Sequence, residues 1–145
     1  MRSQRMSPAL RVTVMAVLAV LWVSGCVWLV LHLGFEHQSE FGAVANPWAP
    51  TLIRVHGLFA VAGVFLLGWI TTAHVVPGLA QKRHRVSGMS LIAIAALLLL
   101  TGYALYYVVG DAVRAAVALA HEVIGVSAVL VGMLHWRRAA SNSDN

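Results

Sequence analysis

Four apolar stretches leave this chain few architectures to adopt. They run over about 12–33, 52–76, 86–109 and 112–136, and each is long enough to cross a hydrocarbon layer as a helix. Thr13 and Ser24 are tolerated inside the first. Between the stretches stand helix-stopping or polar residues: Asn46-Pro47 and Pro50, then Pro77-Gly78, then Gly110-Asp111. Sixty per cent of the 145 residues are hydrophobic and a tenth are charged, far from a soluble average. The expected fold is therefore all-α: one membrane domain, a four-transmembrane-helix bundle, with a polar tail over 139–145. The loops are too short to house a soluble catalytic unit.

Charge sets the expected orientation. Eight of the ten Lys and Arg lie at the N-terminus, in the second loop (Lys82-Arg83-His84-Arg85) and at the C-terminus. Four of the five acidic residues, Glu36, Glu40, Asp111 and Glu122, lie towards the other side. The positive-inside rule then places both termini in the cytoplasm. The net charge of +5 is spread in short clusters between apolar blocks, which argues against nucleic acid as a partner and for a lipid bilayer. A lone cysteine, Cys26, excludes an intrachain disulfide and a cysteine-held cluster within the chain. Val23-Ser24-Gly25-Cys26 looks like a lipoprotein cleavage site, but the apolar run continues as Val27-Trp28-Leu29-Val30-Leu31. A retained helix is the expectation, because signal cores run to only about 7–15 residues.

Histidines carry the chemistry. Seven are present, at 32, 37, 56, 74, 84, 121 and 135. His32 sits near a helix end, where snorkelling to the headgroups accounts for it. His37 and His84 have polar neighbours and are expected in loops. His121 and His135 are different, because they pair on one span. Their fourteen-residue interval closes to within about 40° of four helical turns, so both project from nearly one face. Their heights differ by about 21 Å, most of the hydrocarbon thickness. His56 and His74 form a second pair, eighteen residues and five whole turns apart. The second and fourth spans run in the same direction, so His56 matches His121 at the outer level and His74 matches His135 at the inner one. Two imidazoles on facing helices can grip a flat macrocycle through both axial positions, and bundle cores are where such cofactors sit. Filling both positions leaves none for substrate, which favours electron transfer over chemistry at the iron. The two intervals differ, about 27 Å against about 21 Å. A tilt or bend must absorb that difference; otherwise the inner ligand is His84 or another group.

Glycines and arginines extend the candidate site. Gly57 follows His56, Gly125 and Gly132 lie near the ligands of the fourth span, and Gly88 and Gly102 repeat the fourteen-residue interval on the third. Gly57, Gly102 and Gly125 are candidates for clearing a porphyrin, against ordinary small-residue helix packing. Arg54 and Arg114 break the charge asymmetry near the outer level and are the candidates for haem propionates. Glu122 is more economically read as a cap or a partner of Arg114 than as a proton relay. Tyr103, Tyr106 and Tyr107 fit an interfacial belt, with the edge of a quinone pocket as the alternative.

His121-Glu122 with Gly125, then His135-Trp136, resembles the last haem helix of bacterial di-haem b-type cytochromes. These include the b561 type and the cytochrome b subunits of membrane hydrogenases and formate dehydrogenases. His84-Arg85 with Gly88, followed by Thr101-Gly102-Tyr103-Ala104-Leu105-Tyr106-Tyr107, is similar to their third-helix segment. The resemblance spans roughly 56–138. It implies haem b held non-covalently, two groups or one, with His56, His74, His121 and His135 as axial ligands. It also implies the bacterial inner membrane, a quinone as candidate partner and a redox partner protein. The expected role is an electron-transfer subunit rather than a stand-alone oxidoreductase. The alternatives are a structural or assembly subunit without cofactor, a single-haem protein, and a metal-handling membrane protein.

Overall fold

The protein is described by a computed structural model over residues 7–34, 37–39, 42–44, 46–81 and 85–141. Among the described residues there are four helices long and apolar enough to cross a membrane. They fall into two compact units, the first ending at Ile70 and the second built from Thr71 onward.

In the first unit, α1 (Pro8–Gly34) begins four residues before the apolar run expected from sequence. Local cap chemistry explains the extension. The Ser7 hydroxyl accepts from the Leu10 amide at 3.2 Å, the Ser7 carbonyl accepts from Arg11 at 3.0 Å, and Pro8 occupies the first helical position. The connection expected as a plain loop holds a short antiparallel hairpin, β1 (His37–Ser39) with β2 (Gly42–Val44), His37 opposite Val44. α2 (Ala49–Ile70) then starts from an Asn46 turn. The Asn46 side chain accepts from the Trp48 amide at 3.0 Å and its carbonyl accepts from Ala49 at 2.9 Å. α1 and α2 are antiparallel: Leu21 lies against Gly63, and Gly25 lies against His56.

In the second unit the winding changes. Thr71–Val75 forms a π-helical turn and α3 (Val76–Ala80) follows it. Pro77-Gly78, expected to stop the second span, lies inside this continuous run. Pro77 has no N–H to offer the carbonyl of Ala73, and its ring crowds that carbonyl. Widening the preceding turn relieves the clash without ending the helix. The Arg85 guanidinium donates to the Leu79 carbonyl at 3.2 and 2.8 Å, tying α3 to the start of α4 (Arg85–Tyr107). Gly110, at φ 105°, makes the turn into α5 (Asp111–Ser141), a conformation few side chains allow. Its carbonyl accepts from Arg114 N at 3.0 Å, and Asp111 places a negative charge in the first turn. α4 and α5 are antiparallel, with Gly88 near His135, Leu98 against Gly125 and Gly102 against His121.

Burial is inverted relative to a water-soluble protein. Among the described residues the buried hydrophobics are Leu10 and Val17, while large apolar side chains such as Leu58, Phe65 and Leu100 are exposed. The buried polar residues are Ser24 and Ser87, at 4% and 7% exposure. Both point at histidines across a helix pair.

Candidate cofactor-ligating histidines

His121 shows the recurring arrangement most fully. Thr101 on α4 places its hydroxyl 2.7 Å from the Leu97 carbonyl. Its oxygen also lies 2.9 Å from His121 Nδ1, in a hydrogen bond whose direction follows the tautomer of the ring. The next residue, Gly102, makes room for the ring: a Cβ there would lie 3.3 Å from His121 Cε1 and 3.7 Å from Nδ1.

His56 repeats this between α1 and α2. Its Nδ1 lies 3.0 Å from the Leu21 carbonyl, which can only accept, so the proton is on Nδ1. Ser24 Oγ lies 3.1 Å from the same nitrogen and sends its own proton to the Val20 carbonyl at 2.7 Å. Gly25 follows, with a Cβ position 3.3 Å from His56 Cε1. His135 is the third case: Ser87 Oγ lies 2.9 Å from Nδ1, and a Cβ on Gly88 would lie 3.9 Å from Cε1. Three histidines are thus met by a hydroxyl residue followed by glycine on the neighbouring helix. For His56 the Leu21 carbonyl assigns the Nδ1–H tautomer, so ligation through that ring falls to Nε2. Metal-bound histidines nearly always have the second nitrogen engaged in this way, which orients the ring and raises its basicity.

His74 is held differently. It sits within the π turn and is exposed. Its ring centroid lies 6.4 Å from that of His135, with the planes at 87°. Two metal–nitrogen bonds of about 2 Å, plus ~1.1 Å from each nitrogen to its ring centre, separate two imidazoles on opposite sides of one ion by about 6.2 Å. The inner pair expected from sequence is therefore brought to a separation that suits shared ligation. A π turn puts more residues into each turn than an α-helix does, so the eighteen-residue interval climbs less than a regular helix would. That takes up part of the mismatch with the fourteen-residue interval on α5. Among the described residues no three of His, Cys, Asp and Glu converge, so the ligating sets available are pairs.

The remaining sequence candidates are placed as follows. His32 stacks on Trp28 one turn earlier on α1, centroids 4.9 Å apart. His84, Lys82 and Arg83 lie outside the described residues, as do Arg2, Arg5, Glu36 and Glu40. Arg54 is exposed on α2, and Gly57 is half-buried beside His56. Arg114 is exposed and donates to the Leu105 carbonyl at 2.7 Å, tying the start of α5 to the end of α4. Gly102, proposed from sequence to clear a macrocycle, accommodates the His121 ring. Gly125 packs against Leu98, with a Cβ position 3.8 Å from Cδ2. The Tyr103 and Tyr107 rings lie tilted at 42° on α4, centroids 4.8 Å apart, and both are exposed.

Sequence reasoning passed over the hydroxyl partners. The signal was present: Ser24-Gly25, Ser87-Gly88 and Thr101-Gly102 repeat one dipeptide type inside apolar helices. Ser87 and Thr101 are also fourteen residues apart, the interval of the histidines they meet. No family model, curated protein or solved structure matches this chain.

Proposed function

We propose that this chain is a membrane electron-transfer cytochrome b. In this reading it spans the bacterial inner membrane four times as a helix bundle, with both termini in the cytoplasm, and carries two haem b groups. His74 and His135 would hold the inner haem, and His56 and His121 are the ligand candidates at the outer level. The observation that carries the reading is the inner pair: two imidazoles 6.4 Å apart with planes at 87°, one of them fastened at Nδ1 by Ser87. Polar side chains inside an apolar helix are costly, and hydroxyls spent on orienting histidines argue that the rings have a ligating task. Haem supplies one-electron chemistry at the iron, and ligands on both faces close it to substrate. The protein's own part is to present Nε2, to exclude water and to offer cations to the propionates, with Arg54 and Arg114 as the outer candidates. Electrons would pass between the quinone pool and a redox partner protein.

A pyridine haemochrome assay with a reduced-minus-oxidised spectrum of the purified chain tests this directly. Two haems b per chain, falling to one when either inner histidine is replaced, is the expected result. A chain that folds in detergent and takes up no haem would remove the proposal and leave a cofactor-free assembly subunit.

A further inference from the structure

We infer that Thr101 is a positioning residue that selects the tautomer of His121, and so decides which nitrogen that ring presents, and that Ser24 reinforces the same choice at His56. The inference rests on the haem reading above for its purpose, but the hydrogen bonds exist without it. An imidazole inside an apolar helix pair can carry its proton on either nitrogen, and the two forms differ by little in free energy. Here the choice is made from the neighbouring helix. The shortest contact of each hydroxyl is to its own helix, Thr101 to the Leu97 carbonyl and Ser24 to the Val20 carbonyl, both at 2.7 Å; a proton placed there leaves only lone pairs turned towards Nδ1. The hydroxyl thereby relays the acceptor character of an α-helical carbonyl to a ring that the carbonyl itself does not reach. At His56 the Leu21 carbonyl also accepts directly, giving this ring two acceptors. The glycine after each hydroxyl supplies the second half of the device. At Gly25 and Gly102 a Cβ would come within 3.3 Å of the ring, so the hydrogen-bonding distance is reachable because that atom is missing.

The device has a consequence for the metal. A ring whose Nδ1–H is given to a good acceptor is a stronger donor through Nε2 and stabilises the oxidised iron. Removing the hydroxyl should weaken haem retention and raise the midpoint potential of the haem concerned.

The test uses the full-length chain in detergent micelles with ¹⁵N-labelled histidine. The ring resonances are assigned by single His→Gln variants and read without haem, then haemin is titrated in. Wild-type His56 and His121 are expected as Nδ1–H tautomers. Thr101→Val removes the hydroxyl at nearly constant shape. It is expected to give His121 a mixture of tautomers and to weaken haemin binding by about 10–100-fold. Thr101→Ser is expected to restore both. If Thr101→Val fails to fold, Thr101→Ala is read at His121 in the same way. Wild-type rings in the Nε2–H form, or a tautomer and haemin affinity unchanged by Thr101→Val, would overturn the inference. Failure of the wild type to bind haemin while the tautomers stand as expected would sink the haem reading and leave the positioning role intact.

Discussion

His135 and His74 face each other, yet they are held in opposite ways. His135 lies on a regular stretch of α5, with Ser87 of α4 at 2.9 Å from Nδ1. His74 lies on a π turn ahead of Pro77, and its side chain is exposed. One ring is aimed by a hydrogen bond from a neighbouring helix, and the other by the path of its own backbone. The contrast teaches that an imidazole between apolar helices can be placed by two devices. A hydroxyl–glycine dipeptide sets rotamer and tautomer locally. A π turn instead rotates and lowers everything beyond it, and it depends on whatever forces the helix to widen. The first device fails by losing one bond, the second by losing a backbone state.

Predictions that would break this comparison run from large effects to small. Replacing either ring removes the inner site: His135→Ala and His74→Ala should each lower the haemochrome value from two haems per chain to one. Equal occupancy in both variants and the wild type would mean that the pair is not a ligand pair. Next, Pro77→Ala should let the π turn relax to α-helix, since the clash that widens it is worth about 3 kcal/mol or more. Moving the register by one residue swings His74 by about 100°. Inner haem should then be lost, while the His121 tautomer stays as in the wild type. Retention of both haems would show that His74 is aimed by something other than the turn.

Smaller effects sharpen the role of the glycines. In a helix, Gly→Ala gains about 1 kcal/mol from backbone entropy. At Gly88 the new Cβ would sit at 3.9 Å from His135, an ordinary contact, so Gly88→Ala should raise thermal stability in detergent. At Gly102 it would sit at 3.3 Å from His121, and crowding of this kind costs about 1–3 kcal/mol. Gly102→Ala should therefore be less stable than Gly88→Ala, by a difference visible in the unfolding midpoint. Equal midpoints would remove the case that Gly102 exists to admit the ring. The smallest effect is expected at Arg114, an exposed side chain bonded to the Leu105 carbonyl. Arg114→Ala should cost about 0.5–1 kcal/mol in the same melt. A loss of outer haem on top of that would favour the propionate role.

Much of this arrangement can be read from the residues alone, and the exceptions share one cause. The four apolar helices follow from block length, and the start of the fourth from Gly110-Asp111; Ser7-Pro8 begins the first helix four residues ahead of its apolar block, where hydropathy gives no signal. The histidine pairs follow from counting turns. Pro77-Gly78 misled, because a proline either ends a helix or distorts it, and which of the two happens depends on the packing around the next turn. The 37–44 hairpin was missed because three-residue strands carry no period strong enough to read. Ser24 passed as a tolerated polar residue in a membrane helix, and its partner is 32 positions away.

Helical periodicity by itself determined the face and the interval of the candidate ligands, since every residue advances a helix by a fixed angle and rise. Only the tertiary structure decided which ring nitrogen is engaged, that Gly102 admits an imidazole, and that His74 comes within reach of His135. Those outcomes depend on the rotation and height of one helix against another. These are set by side-chain contacts between segments far apart in the chain, and no periodicity within a single segment contains them.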